Sequence, residues 1–281
     1  MKLSLKANLI TALAAVALAA LTAALAVNAG KVEAQALGFS FGAAGDFGDS
    51  SNTTKVLQAA QAQTDFMLAV GDMSYNSPGT EGAWCNYVKT HYAKPFALVA
   101  GNHEDDGPDG NIDRFAACLP DRLGSVGLYG HQYYFDYPAT QTLARFILID
   151  ANLYRNGVRQ SYCRSGDTAN CNWLKARIDE AKAKGLWTIV GVHQNCLTAG
   201  DKQSCEIGPE LFNLLIAKRV DLLLQGHDHN YQRLKQLTLG SGCTAITPGQ
   251  YNGACVADAD SQVAAGAGTN VVISAASGHS Y

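Results

Sequence analysis

The run Phe66-Met67-Leu68-Ala69-Val70 leads directly into Gly71-Asp72-Met73-Ser74-Tyr75. Five apolar residues bounded by polar clusters fit a buried strand. The glycine lets the chain turn sharply and approach a bound group, and the turn carries a carboxylate and a phenol. The same plan recurs along the chain. Residues 39–44 lead into Gly45-Asp46-Phe47-Gly48, and 96–100 into Gly101-Asn102-His103-Glu104. Residues 188–192 lead into His193, and 220–224 into Gln225-Gly226-His227-Asp228-His229-Asn230. Two further runs, 146–149 and 271–275, read as strands of the same kind.

Helical stretches lie between these runs. Residues 53–63 form one. Over 172–184, Trp173, Leu174, Ile178 and Ala181 share a face and Gly185 stops the helix. Residues 209–218 open on Pro209, which is tolerated in a first turn. Strands alternating with helices predict an α/β fold, and ligands of such sheets bind outside the carboxyl ends of the strands. Segments 104–125, 152–171 and 195–208 read as long loops, and 240–267 as a loop or a loosely ordered hairpin. Trp84, Trp173 and Trp187 read as packing residues. His91, His131 and His279 lack ligand-spaced neighbours and read as structural or exposed. Glu104, Asp105 and Asp106 either support the third cluster from behind or form a solvated turn.

The composition bounds the class. The chain has 281 residues, 47% hydrophobic and 16% charged, with net charge −3. That apolar content excludes global disorder, and a single long apolar stretch excludes a polytopic membrane protein. Without a basic block, nucleic acid is not an expected partner. The one long stretch is N-terminal. Lys2 and Lys6 precede an Ala/Leu run over 9–27, followed by Ala34-Gln35-Ala36. This pattern predicts an export signal over 1–36, cut after Ala36, and a domain over 37–281. The alternative is an uncleaved single-span anchor, which would be the chain's only membrane contact.

The cysteines agree with export. All eight lie beyond residue 36, at 85, 118, 163, 171, 196, 205, 243 and 255. An even count in an exported chain predicts disulfides. Cys163–Cys171, Cys196–Cys205 and Cys243–Cys255 each bracket a polar loop, which leaves Cys85 with Cys118. A zinc cluster fits less well, because no C-x-x-C spacing occurs.

Asp46, Asp72, Tyr75, Asn102, His193, His227 and His229 thus gather at strand ends. Carboxylate, phenol, amide oxygen and imidazole are hard to borderline ligands. Seven are too many for one first-row ion and suit two ions with a bridging carboxylate, able to clamp a phosphoryl group. A phenolate favours Fe(III) at one position, and the His/Asn set a divalent ion at the other.

The ordered set GDFG, GDMSY, GNHE, GVHQ and GHDHNYQR resembles the calcineurin-like metallophosphoesterases, and within them the purple acid phosphatases. Two features carry the narrower resemblance: the first motif is Asp46-Phe47-Gly48 where many relatives have Asp-x-His, and Tyr75 stands three residues after Asp72. The resemblance covers residues 37–281. It implies a two-sheet β-sandwich flanked by helices, the four-layer metallophosphoesterase fold, with the site at the strand C-terminal ends. It implies that Asp46, Asp72, Tyr75 and His229 hold Fe(III). Asn102, His193 and His227 hold Fe, Zn or Mn, and Asp72 bridges. His103, with Asn102, contacts the phosphate and assists the leaving group. The implied reaction is phosphomonoester hydrolysis of a small substrate by a metal-held hydroxide attacking in line.

Two departures bear on substrate and pH optimum. Relatives often carry further histidines about nine residues after the fourth-motif histidine; here that region reads Ala199-Gly200-Asp201-Lys202, and Lys202 is either a phosphate contact or a solvated loop lysine. Relatives also continue with further strands after a run such as 271–275, which implies a fragment or a short lineage. The competing readings are a Mn/Zn phosphodiesterase or nucleotide-acting relative, and a non-catalytic metal- or phosphate-binding surface protein.

Overall fold

The computed structural model describes residues 38–105, 109–164, 169–258, 260 and 262–279. The export-signal reading over 1–36 lies outside the described residues, as does Asp106. The strands are β1 Phe41–Ala44, β2 Phe66–Val70, β3 Phe96–Val99, β4 Val126–Leu128, β5 Gln132–Tyr137, β6 Ala144–Ile149 and β7 Tyr154–Arg155. They continue with β8 Val158–Arg159, β9 Trp187–Val192, β10 Leu222–Gln225, β11 Tyr231–Arg233, β12 Gln236–Leu237, β13 Val256–Asp258 and β14 Asn270–Ser274. The helices are α1 Ser51–Gln63, α2 Glu81–His91, α3 Ile112–Cys118, α4 Ala169–Ala183 and α5 Pro209–Ala217.

Two sheets carry the fold. The first is β1-β2-β3, all parallel. The second runs β11-β14-β10-β9-β6-β5-β4, with β6, β9, β10 and β14 parallel and β11, β5 and β4 antiparallel to their neighbours. Alternation along the strands assigns the layers. On β2, Met67 and Ala69 join Leu57 of α1, Trp84 and Val88 of α2 and Phe115 of α3 in one core cluster. Phe66 turns to the second sheet, 5.2 Å between ring centroids from Phe146 and 5.7 Å from Phe135. On β6, Ile147 and Ile149 turn the other way, onto Leu174 and Ile178 of α4 and Leu211 and Leu215 of α5. The order is therefore helices, sheet, sheet, helices. This is the expected two-sheet sandwich in an α/β fold.

Local signals explain the helix ends. The Ser50 side chain accepts from the backbone N–H groups of Asn52 and Thr53, capping α1. Asn111 does the same for α3 through Asp113 and Arg114. The structure corrects several loop expectations. Residues 104–125 contain α3, and 152–171 contain the β7–β8 hairpin and the start of α4. Helix α2 and strands β4 and β5 lie where no element was expected. Helix α3 is short and is held by Cys85–Cys118, one of four disulfides joined in the expected pairs with Cys163–Cys171, Cys196–Cys205 and Cys243–Cys255. Among the described residues, no helix is long and apolar enough to cross a membrane.

The parallel strands of both sheets end along one edge. The Gly45 N–H after β1 donates to Ser274 O at the end of β14, at 2.8 Å. The His193 ring after β9 reaches Val70 O at the end of β2. The loops after β1, β2, β3, β9 and β10 therefore share one site.

Candidate metal centre

Half of the eight left-handed non-glycine residues among the described residues stand at that edge. Among the described residues, Asp46, Asp72, Tyr75 and His227 have φ of 59°, 53°, 55° and 72°. Each left-handed non-glycine residue costs on the order of 1–3 kcal/mol, a cost that clusters at functional sites. The loops are held by hydrogen bonds from behind. Asp46 N–H donates to Gly71 O and Phe47 N–H to Asp72 O, so the first two motifs run side by side. Glu104 is fully buried, and its carboxylate accepts from the backbone N–H groups of Asp72 (2.9 Å), Met73 (2.6 Å) and Gly101 (3.1 Å). Burial, with Asp72 adding repulsion, pushes its carboxyl up to about 8, while the N–H groups pull the other way. Glu104 thus braces the second motif, through Asp72 and Met73, and the third, through Gly101, from behind.

All seven expected ligands come together. The Tyr75 hydroxyl lies 2.9 Å from Asp46 Oδ1, 3.1 Å from Asp72 Oδ2 and 3.3 Å from His229 Nε2. His229 Nε2 is 3.0 Å from Asp46 Oδ1. On the other side of Asp72, His193 Nε2 is 3.2 Å from Asp72 Oδ1 and 3.1 Å from Asn102 Oδ1. Asp72 therefore stands between two clusters, as a bridging carboxylate must. Asp72, His193 and His227 form a candidate metal-holding group, with ligand atoms within 4.8 Å of one another.

The donor set fits cations. A carbonyl can only accept, so the His193 Nδ1 at 2.8 Å from Val70 O carries a proton. In the neutral ring Nε2 is then a lone pair, facing two oxygens that also accept. Three acceptors converge and require a proton or a cation between them. Burial lowers the His193 pKa, but Asp72 outweighs it and raises the ring to about 10. Burial and the Asp46 and Asp72 carboxylates hold the Tyr75 phenol well above its ordinary range. A phenolate at Tyr75 therefore needs a cation beside it. The same anions that raise Tyr75 would attract that cation.

Above these residues lies a cleft of about 440 Å³. Asn102, His103, Lys202 and Asn230 are among its lining residues. His103 Nε2 is 3.8 Å from Asp72 Oδ2, and its Nδ1 contacts the Asp109 carboxylate. Lys202 is exposed at the rim, on the disulfide-closed loop.

Three residues at the site escaped the sequence. His279 lies in the cleft, and its ring stacks on Tyr75 at 3.4 Å between centroids and 5° between planes. Its N–H donates to Asp46 O at 3.2 Å. Asp109 reaches His103 from the segment 104–125, read as a long loop. Glu206 Oε2 lies 3.0 Å from His227 Nε2.

The family sequence model of the calcineurin-like phosphoesterases matches residues 39–231. The chain belongs to the calcineurin-like phosphoesterase family. Its fold implies a dimetal centre, which agrees with the two clusters about Asp72. The chain is 29% identical to an uncharacterised Mycobacterium tuberculosis protein over 200 residues, 65% of this chain and 37% of that protein. It is 25% identical to purple acid phosphatase 18 of Arabidopsis thaliana over 214 residues, 71% of this chain and 46% of the relative. A purple acid phosphatase from yellow lupin seeds superposes with TM-score 0.53 at 18% identity, over 85% of this chain and 44% of that one. The chain thus spans less than half the length of these relatives, and the lupin structure supports the fold.

Proposed function

We propose that this calcineurin-like phosphoesterase is an exported phosphatase of the purple acid phosphatase type, hydrolysing small phosphomonoesters at a dinuclear centre. One observation carries the reading: the Tyr75 hydroxyl within 3.3 Å of Asp46, Asp72 and His229. A phenol beside two buried carboxylates suits a hard trivalent ion. In this reading Asp46, Tyr75 and His229 hold Fe(III). Asn102, His193 and His227 hold a divalent ion (Fe, Zn or Mn), and Asp72 is shared. When bound, the two ions supply positive charge for phosphoryl oxygens and lower the pKa of water.

The chain's own groups do the rest. Asn102 and His103 face the cleft and orient the phosphate. Asp109 holds the His103 ring by Nδ1, leaving Nε2 to meet the ester oxygen; in the imidazolium form the Nε2 proton passes to the departing alkoxide and the ring is left neutral. Lys202 adds a positive charge at the rim. The substrate is a small phosphate ester, with nucleic acid disfavoured by the net charge of −3. Export fits four disulfides.

The test is a visible absorption spectrum with metal analysis on the same purified protein. A purple band with about two metals per chain, iron among them, is the expected result, and Tyr75→Phe should bleach it. A colourless chain holding two Mn or Zn ions would shift the assignment to a phosphodiesterase. A folded chain that takes up no metal would overturn the reading.

A further inference from the structure

We propose that Glu206 is a positioning residue for the metal centre: its carboxylate takes the Nε2–H of His227 and fixes the tautomer that leaves the Nδ1 lone pair for a cation. The inference rests on the reading of His227 as a metal ligand.

The geometry singles out Glu206. Its Oε2 is 3.0 Å from His227 Nε2. A carboxylate accepts only, so Nε2 carries the proton, and in the neutral ring the lone pair sits on Nδ1. His193 is locked in the opposite sense, by Nδ1 to Val70 O at 2.8 Å, and presents Nε2. The two imidazoles beside Asp72 are thus set by different partners, a backbone carbonyl and a carboxylate. A carboxylate partner also raises the basicity of a ligating imidazole.

Glu206 is itself prepared for this. Its N–H donates to Asn195 O at 3.0 Å, and its carbonyl accepts from Arg164 Nη2 at 3.2 Å. Asn195 and Glu206 flank the Cys196–Cys205 disulfide, so the base of that loop is closed by a covalent bond and a hydrogen bond together. Ser204 Oγ lies 3.3 Å from Glu206 Oε1, and Ile207 is buried. The backbone is pinned on both sides before the side chain reaches His227. Glu206 is not among the residues lining the cleft. It reaches the centre through His227.

The experiment uses the full chain, stripped of metal by chelation, as wild type, Glu206→Ala and Glu206→Gln. Long-range ¹⁵N–¹H correlation reads the His227 tautomer without metal. Zn²⁺ titration against a competing chelator then reads affinity. The wild type should show the Nε2–H form. Glu206→Ala should mix the tautomers and lower Zn²⁺ affinity about 10–100-fold. Glu206→Gln, whose amide oxygen accepts the same bond, should restore most of both. An Ala variant with wild-type tautomer and affinity overturns the proposal. So does a Gln variant as weak as Ala, since the carboxylate would then serve only as a loop brace. A wild-type chain that takes up no Zn²⁺ overturns the underlying metal reading instead, and the tautomer data still show whether Glu206 sets the ring.

Discussion

Gly101 has no room for a methyl group. A Cβ built there would lie 2.0 Å from Asp72 Oδ1 and 2.4 Å from Asp72 N. Gly71, at φ +92°, would put one 2.4 Å from His193 Nδ1. These glycines allow three strand-end loops to converge on one carboxylate. Gly101→Ala should therefore destabilise the fold by about 1–3 kcal/mol through overpacking and abolish metal uptake, read by thermal melting and metal analysis. Gly82 is the control, because it lies in α2 with nothing within 4 Å of its Cβ position. Gly82→Ala should gain about 0.5–1 kcal/mol from helix propensity and leave metal uptake unchanged. At this scale the sequence was highly legible. Asp46, Asp72, Tyr75, Asn102, His193, His227 and His229 all stand at the edge that their strand-end positions implied. His279 was not legible, because no spacing within the sequence links it to Tyr75.

The elements that hold the site are tied by a buried histidine away from it and its two carboxylate partners. His131, after β4, is buried between Asp150 at the end of β6 and Asp113 in α3, with nitrogens 3.2 Å and 3.0 Å from the carboxylates. Arg155 of the β7–β8 hairpin also faces Asp150, at 3.7 Å. Burial lowers the His131 pKa, but its hydrogen bonds to Asp150 and Asp113 more than compensate, and the net shift is upward. A raised folded-state pKa gives stability that is complete below the unfolded value of about 6.5. That contribution is lost as pH rises through the folded value. The stability gap between wild type and His131→Gln should therefore be widest at acid pH and narrow as pH rises past the folded value. Urea denaturation at several pH values measures it; a gap independent of pH would show that His131 is not charged in the fold. This clamp joins α3, β6 and the hairpin, and the loop expectation over 104–125 missed it. A short helix secured by a disulfide and a buried histidine has little periodic signal of its own.

For the whole molecule, the metal centre is expected to act as a ligand-dependent staple. Loops from both sheets end on the same acceptor cluster, so a bound cation would tie the sheets together where their parallel strands stop. An ion at 100 times its dissociation constant adds about 2.7 kcal/mol. For a domain of this size, each kcal/mol moves the melting temperature by about 2–4 °C. Chelation should therefore lower the melting temperature by about 5–10 °C per ion lost, and restoring Zn²⁺ or Fe should recover it. An unchanged melting temperature after complete metal removal would exclude this role.

The sequence alone determined the buried parallel strands, because runs such as 66–70 need no long-range information to be recognised, whereas the antiparallel β4 and β5 gave no such signal. It also determined which chemical groups follow each strand, and with them the family and the candidate ligand set. The cysteine pairs were legible because three of the four close short polar loops, leaving the fourth by default. Tertiary structure alone decided how the two sheets face each other. That choice rests on the alternation of Phe66 and Phe146 inward against Met67 and Ile147 outward, and it brings Val70 to His193. It alone brought Asp109, Glu206 and His279 to the centre, since each arrives by a loop whose path is set by contacts distant in the chain. Strand periodicity is a local property of the backbone, whereas the partner of a buried imidazole is chosen by packing.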